Sequence, residues 1–337
     1  MNAITEKELA TPAWNESRST TERHHSMFTC VLLMLMGVAA WLLTGFTYAD
    51  AAVAPGTRVD SGSEKTLLAR HVALKGQLAS NAFQRPLVLE SNETTNDVKG
   101  DVYAVIAHPF AKVHLALAEP QAWCEILILH LNTKFCKIAG EGERTVLHMN
   151  VGKKFDQPLE QSYRLKFAWK LAEDSATYQR VVLSAETGPL STRDYRITLE
   201  MVPLKNGTTF MHLSYAYGFG FAGKLAMATY FSTIARDKVG FSLMGNGQDG
   251  EPIYVDGMRG QSERNTMRYY LAIESFLGAI ATPQSGRFEK SINDWFIASE
   301  RYPRQLHELE QTEYLVMKRK EYLRQQRNEV ATAPAPG

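Results

Sequence analysis

The sequence is poor in cysteine, with three in 337 residues. That excludes a disulfide-dense scaffold, and the lack of any Cys-x-x-Cys or His-Glu-x-x-His spacing removes the usual zinc signatures. The nine histidines are scattered. His24 and His25 lie in the N-terminal tail, and His71, His108, His114, His130, His148, His212 and His307 are spread along the rest. No Gly-x-Ser-x-Gly elbow occurs and no Ser/His/Asp arrangement is legible, so no catalytic residue is assigned. A charge excess is missing too: 37 Lys and Arg face 36 Asp and Glu. This balance gives no reason to expect nucleic acid as a partner. Internal repeats are absent. No metal and no cofactor is expected on these grounds.

What is present begins with MFTCVLLMLMGVAAWLLTGF, residues 27–46, a run without a charge. It is long enough to cross a bilayer core. It leads into TYADAAVAPG, where Ala49 and Ala51 provide the small residues of a signal-peptidase site. The tail before it, residues 1–26, is polar and expected to be disordered, but it is not basic. Lys7, Arg18 and Arg23 stand against Glu6, Glu8, Glu16 and Glu22, so orientation is only weakly marked. Residues 27–51 therefore read as a signal peptide or a retained membrane anchor. Everything after them reads as periplasmic or otherwise extracytoplasmic, soluble or tethered to the inner membrane. Cys30 falls inside the run. In an oxidising compartment Cys124 and Cys136 either form a disulfide or remain two separate buried thiols.

Residues 52–97 read as a linker and an N-terminal helix. The helix spans 64–80, with Ser63 as its N-cap and Leu67, Leu68, Leu74 and Leu78 near helical spacing. Residues 85–98 are extended or irregular, because Pro86 prevents a continuing helix. Then a strand is expected over 98–106, a short helix over 110–118, and a second over 121–130 with Pro120 at its first turn. After that the period switches to two, giving strands over 134–139, 144–153, 162–171, 178–186, 193–204 and 208–217. In 162–171, Tyr163, Leu165, Phe167 and Trp169 share one face against Arg164, Lys166 and Lys170. Lys205-Asn206-Gly207 is a hairpin turn, and His212 falls on the polar face. Such strands make an antiparallel sheet wetted on one side, whose apolar face must be covered. The covering helix is 221–238 or 262–280, with a glycine-rich loop over 245–260. Helices over 286–300 and 304–327 follow. The last carries MKRKEYLRQQR and reads as a solvated face or a partner-docking one. Residues 329–337 are a disordered tail.

Gly218, Gly220 and Gly223 match a Gly-x-Gly-x-x-Gly spacing after a strand and before a helix. The preceding strands are antiparallel hairpins, however, and no βαβ unit follows. The glycines read as a junction packed closely into a helix.

The order strand, helix, helix, about six strands, helix resembles the START and polyketide-cyclase-like helix-grip superfamily. The text VYAVIAHPFAKVHLALAEPQAWCEIL, residues 102–127, is similar to that superfamily's opening, through Pro109, Phe110, Val113, Leu117, Pro120 and Trp123. The resemblance covers 98–240, or to 280. It implies an α+β fold in which a curved antiparallel sheet grips a long helix (β-α-α-β6-α). The gripping domain would be 98–280, with a C-terminal helical extension over 281–328. A sheet bent round one helix leaves an apolar pocket, which is a ligand site by default. Its expected wall is Tyr163, Phe167, Trp169, Tyr195, Tyr215 and Tyr217, with Met267 and Tyr270 from the helix. Buried tyrosine hydroxyls need partners, which water or a ligand head group in a pocket supplies. Arg264 and Arg268, one helical turn apart, could hold an anionic head group, or pair at the surface with Glu263 or Asp256.

The function expected is binding or carriage of a lipid or other hydrophobic ligand by an extracytoplasmic START-like protein. One alternative is a cyclase- or hydratase-type enzyme using a pocket tyrosine or histidine as acid or base. The other is a non-catalytic assembly protein that docks a partner on its C-terminal helices. The membrane would be a partner through the N-terminal segment if that segment is retained.

Overall fold

A computed structural model describes residues 63–233 and 238–327. Contacts divide the chain into residues 1–60 and 61–337, and the described residues belong to the second unit. The expected N-terminal tail, the apolar run 27–46 and the tail 329–337 lie outside them. Among the described residues no helix is long and apolar enough to cross a membrane.

The chain enters through α1 (Glu64–Ala79), begun by Ser63, whose hydroxyl accepts the Thr66 N–H at 3.2 Å. Then come β1 (Leu87–Glu93) and β2 (Asp97–Ile106). The stretch after Pro86 is thus a regular edge strand, paired with β2 from Leu87↔Ala104 to Glu93↔Val98. Helices α2 (Phe110–Leu117) and α3 (Pro120–Leu127) follow, and Pro120 starts the second as its fixed φ favours. Six strands come next: β3 (Thr133–Ala139), β4 (Val146–Val151), β5 (Tyr163–Asp174), β6 (Gln179–Thr187), β7 (Thr192–Pro203) and β8 (Thr209–Phe219). All neighbours pair antiparallel in the order β1-β2-β8-β7-β6-β5-β4-β3. Helices α2 and α3 carry the chain from one side of the sheet to its far edge. Gly207, at φ 79°, makes the β7–β8 turn as the Lys-Asn-Gly text implies.

Helix α4 (Phe221–Thr233) approaches the turn before β7. A Cβ on Gly223 would stand 3.0 Å from the Ser191 carbonyl oxygen, so this glycine serves close packing. The expected loop 245–260 holds a small hairpin, β9 (Leu243–Asn246) and β10 (Pro252–Tyr254), and the start of α5 (Gly257–Ala279). Helix α5 is the gripped helix. It packs on β1, β2 and β8, and α3 also packs against it. Helix α6 (Gln284–Ser299) backs α5 through Trp295, whose indole N–H donates to the Arg268 carbonyl at 3.1 Å.

Two expectations are corrected. The helix expected over 304–327 is broken into α7 (Pro303–Leu306) and α8 (Gln311–Gln326), the latter started by a capping box between Glu310 and Glu313. Nor is its charged text a solvated face throughout, because Lys318 and Glu321 are fully buried. The polar side of the sheet is likewise not simply wet. Leu67, Leu74 and Leu78 of α1 cover Val88, Tyr178, Val202 and Phe210 in a second small core. At its margin His212 lies between two carboxylates, with Nε2 2.7 Å from Asp101 Oδ1 and Nδ1 3.0 Å from Glu200 Oε2.

Candidate functional site

Alternation on β5, β7 and β8 turns Phe167, Trp169, Tyr195, Tyr215 and Tyr217 towards the helix side of the sheet. The Arg196↔Ala216 and Ile197↔Tyr215 pairings bring the tyrosines of β7 and β8 together. Tyr195 and Tyr217 stack with centroids 5.2 Å apart, and Tyr215 lies 5.6 Å from Tyr217. Phe167 meets Tyr195 edge-on at 6.4 Å. From α5, Tyr269 comes within 5.4 Å of Tyr215, and His130 stacks on Tyr269 at 4.8 Å. Asn265, one turn before Tyr269, stands beside the Tyr215 hydroxyl and the His130 ring.

This aromatic group belongs to the main buried core, but is less completely covered than its aliphatic neighbours. Val181, Leu183, Leu199 and Leu213 are 0% exposed, whereas Phe167 and Tyr215 keep 5%, Trp169 8% and Tyr195 9%. Tyr163, Asn265 and Tyr269 are only half-buried. Across the sheet–helix interface, Tyr215 of β8 meets the half-buried Tyr269 of α5.

The polar atoms here point the same way. The Tyr195 hydroxyl is paired with Thr192 Oγ1 at 2.7 Å. The Tyr217 hydroxyl and the Trp169 indole N–H are buried and have no partner among the described residues. His130 Nδ1 accepts the Asn132 N–H at 3.1 Å, so in the neutral ring Nε2 carries the proton. That nitrogen, too, is buried without a partner among the described residues. Burial, then the nearby Arg268 and Lys318 cations, hold His130 well below the usual histidine range. Burial pushes the Tyr195 phenol up to about 12 and raises Tyr215, Tyr217 and Tyr269 as well. The tyrosines and His130 are therefore uncharged at ordinary pH, with buried cations nearby, and offer hydrogen-bond donors beside aromatic faces.

The other expected residues are placed differently. Met267 lies in the same core cluster as the aromatic residues but is fully buried. The Tyr270 ring faces Arg85, and its hydroxyl is bonded to Arg85 at 2.9 Å and Glu274 at 3.1 Å. Its neighbour Tyr269 takes the place the sequence reading gave to Tyr270. Arg264 and Arg268 are buried rather than at the surface. Arg268 donates to Glu308 Oε1 at 2.8 Å, and Lys154 and Lys238 share that carboxylate. Burial, followed by the Arg268 charge, lowers Lys154 to about 8. Glu263 instead accepts from Ser91 and from the Phe241 and Ser242 backbone. Cys124 and Cys136 form a disulfide, with Cα atoms 5.4 Å apart.

The sequence reading missed His130, Asn265 and Tyr269. The i, i+4 spacing of Asn265 and Tyr269 was visible, but which face of α5 meets the sheet was not. An open groove of about 790 Å³ runs elsewhere, along β9 and β10 beside Arg304. No group of three potential metal ligands occurs among the described residues.

No family model matches the sequence, and no curated protein matches it. Similar solved structures exist. A norcoclaurine synthase point mutant from Thalictrum flavum, bound to a transition-state analogue, is 14% identical at a TM-score of 0.31, covering 42% of this chain and 91% of its own. The Zhui aromatase/cyclase from Streptomyces sp. R1128 is 11% identical at 0.28, over 63% of this chain and 99% of its own. A conserved protein of unknown function from Enterococcus faecalis is 9% identical at 0.30, over 67% and 96%. Likenesses so remote and partial say nothing about ligand or chemistry. The helix-grip description rests on this chain's own element order and sheet topology: an α+β fold with a large antiparallel sheet around α5.

Proposed function

We propose that this protein binds or carries a lipid or other hydrophobic ligand between the inner face of β5–β8 and helix α5. The observation that carries the reading is the pair of buried, unpartnered donors, Tyr217 Oη and Trp169 Nε1, in a wall that keeps accessible surface. An unmatched buried polar group costs about 1–3 kcal/mol. A ligand with an acceptor oxygen on an apolar body removes that cost. Hiding its body at roughly 25 cal/mol per Å² supplies the rest of the binding energy. Arg264 and Arg268 remain the proposed contacts for an anionic head group. We place the protein outside the cytoplasm, soluble or tethered. The Cys124–Cys136 bridge supports that placement, as does the uncharged run 27–46.

A second reading has its own support. His130 is a buried neutral imidazole beside Tyr269 and Asn265, a perturbed titratable group of the kind that marks candidate catalytic sites, although its lowered basicity suits a hydrogen-bond donor better than a general base. The test is native mass spectrometry of protein from its own host, with lipid extraction and uptake of a fluorescent fatty acid. A stoichiometric apolar ligand supports carriage. A ligand returned chemically altered supports the enzyme. Repeated recovery of empty protein that takes up no fatty acid removes both.

A further inference from the structure

The loop between α3 and β3 has two faces. On one, the His130 ring stacks on Tyr269 inside the grip. On the other, its backbone is held by α8. Tyr314 Oη donates to the Leu129 carbonyl at 2.9 Å. Lys318 Nζ donates to the His130 carbonyl at 2.7 Å and the Thr133 carbonyl at 3.0 Å. Lys134 Nζ donates to the Leu131 carbonyl at 2.9 Å, and Gln325 Oε1 accepts the Cys136 N–H at 3.0 Å. Glu321 bridges the two ammonium groups, at 3.0 Å to Lys134 and 2.7 Å to Lys318. All these anchors on the loop fall within the ring that the Cys124–Cys136 disulfide closes.

Two ammonium groups and one carboxylate, all fully buried, are an expensive way to seat a helix, since apolar side chains of the same size hold one at lower cost. What they add is direction. Lys318 alone holds two carbonyls three residues apart, and with Tyr314 it ties down three carbonyls of the backbone around His130.

We infer that α8 is the positioning element of the grip, with Lys318 and Tyr314 acting through the His130 and Leu129 carbonyls to set the His130 imidazole against a bound ligand. This rests on the reading that the grip holds a ligand. It gives a helix outside the gripping β-α-α-β6-α pattern a role in the site, and makes Lys318 and Tyr314 positioning residues that never touch the ligand.

The test uses the full-length, disulfide-bonded protein labelled with ¹⁵N-histidine, its Tyr314→Phe and Lys318→Met variants, and His130→Asn to assign the ring signals. In the unaltered protein the His130 ring stays neutral, with Nδ1 bare and Nε2 protonated, as pH passes 6.5. In Tyr314→Phe, which removes no charge, it titrates near 6.5, as a ring released to water does; Lys318→Met also removes a cation that lowers His130, so its ring shift counts only when Tyr314→Phe shows one too. A fluorescent fatty acid binds each variant about tenfold more weakly, and the loss shrinks to about twofold when His130 is already Asn. Unchanged ring nitrogens in Tyr314→Phe overturn the inference, as does an equal loss of binding with and without His130. Tyr314→Phe deletes a single hydroxyl and carries the test if Lys318→Met fails to fold. Should the unaltered protein take up no fatty acid, the ligand reading falls, and the ring titration still decides whether α8 positions His130.

Discussion

Gly100 of β2 lies directly beneath Thr266 of α5. A Cβ on Gly100 would stand 2.3 Å from Thr266 Oγ1 and 3.1 Å from Ser262 Oγ. Thr266 is held in place by the bond from its hydroxyl to the Ser262 carbonyl at 2.8 Å. The helix is thus pinned to the β1–β2 side of the sheet. The aromatic residues of β7 and β5 lie beyond β8 in the sheet, away from that contact.

Gly100→Ala should therefore destabilise the fold by about 1–3 kcal/mol through overpacking. Thr266→Ala in the same chain should recover part of that loss. Urea melts of the two variants read this directly. A Gly100→Ala protein as stable as its parent would mean that α5 is seated by something other than this contact.

The sheet was legible in the sequence because its inner strands alternate cleanly. Tyr163 to Trp169 and Tyr195 to Met201 each put the right residues inward, and the strand ends shift by only a few positions. The element that failed was the C-terminal helix. Lys318 and Glu321 look solvated in a charged run, and nothing local reveals that Lys134, 184 positions earlier by sequence number, completes their cluster. The site was half legible for the same reason. Wall residues on strands follow from period two, but Tyr269 rather than Tyr270 meets Tyr215 because of where Gly100 lets the helix rest. His130 could not be found at all, since its place depends on a loop held by α8.

The His212 cluster sets a pH dependence. Burial opposes a charged imidazole, but the hydrogen bonds of Asp101 and Glu200 outweigh it and raise His212 above 6.5. Burial also opposes both carboxylates, and His212 outweighs it, lowering Asp101 from 3.8 and Glu200 from 4.5. The stabilisation from His212 is complete below 6.5 and is lost as pH rises through its higher folded value. That from the carboxylates is complete above 4.5 and is lost as pH falls through their lower folded values. The cluster therefore contributes most between these limits. Denaturant melts across a pH series should show His212→Gln losing most stability in that window and little at alkaline pH. A constant loss at every pH would assign the dependence to other groups.

The disulfide spans a sequence separation of 12 residues. Closing a loop of that size stabilises the fold by about 3 kcal/mol in the chain-entropy model. Reduction, or paired Cys124→Ser and Cys136→Ser substitutions, should lower the urea midpoint accordingly. Protein isolated from its host should resist alkylation at both positions until it is reduced. Alkylation without reductant would contradict both the bridge and the extracytoplasmic placement.

The Tyr217 hydroxyl separates a ligand wall from plain core. It has no partner among the described residues, so Tyr217→Phe removes an unmatched polar atom and should leave the empty protein equally stable or up to about 1 kcal/mol more stable. If the hydroxyl serves a ligand's acceptor oxygen, the same change should weaken fatty-acid uptake several-fold, opposite in sign to its effect on stability. Trp169→Glu should abolish uptake by placing a charge in the wall, with the fold checked by circular dichroism. A core role for both residues makes a different pattern: Trp169→Glu unfolds the chain, and Tyr217→Phe leaves uptake unchanged whatever it does to stability. Thermal melts and fluorescence titrations on the two variants, run with and without the fatty acid, distinguish these outcomes, because only a hydroxyl that meets a ligand can matter more in its presence than in its absence.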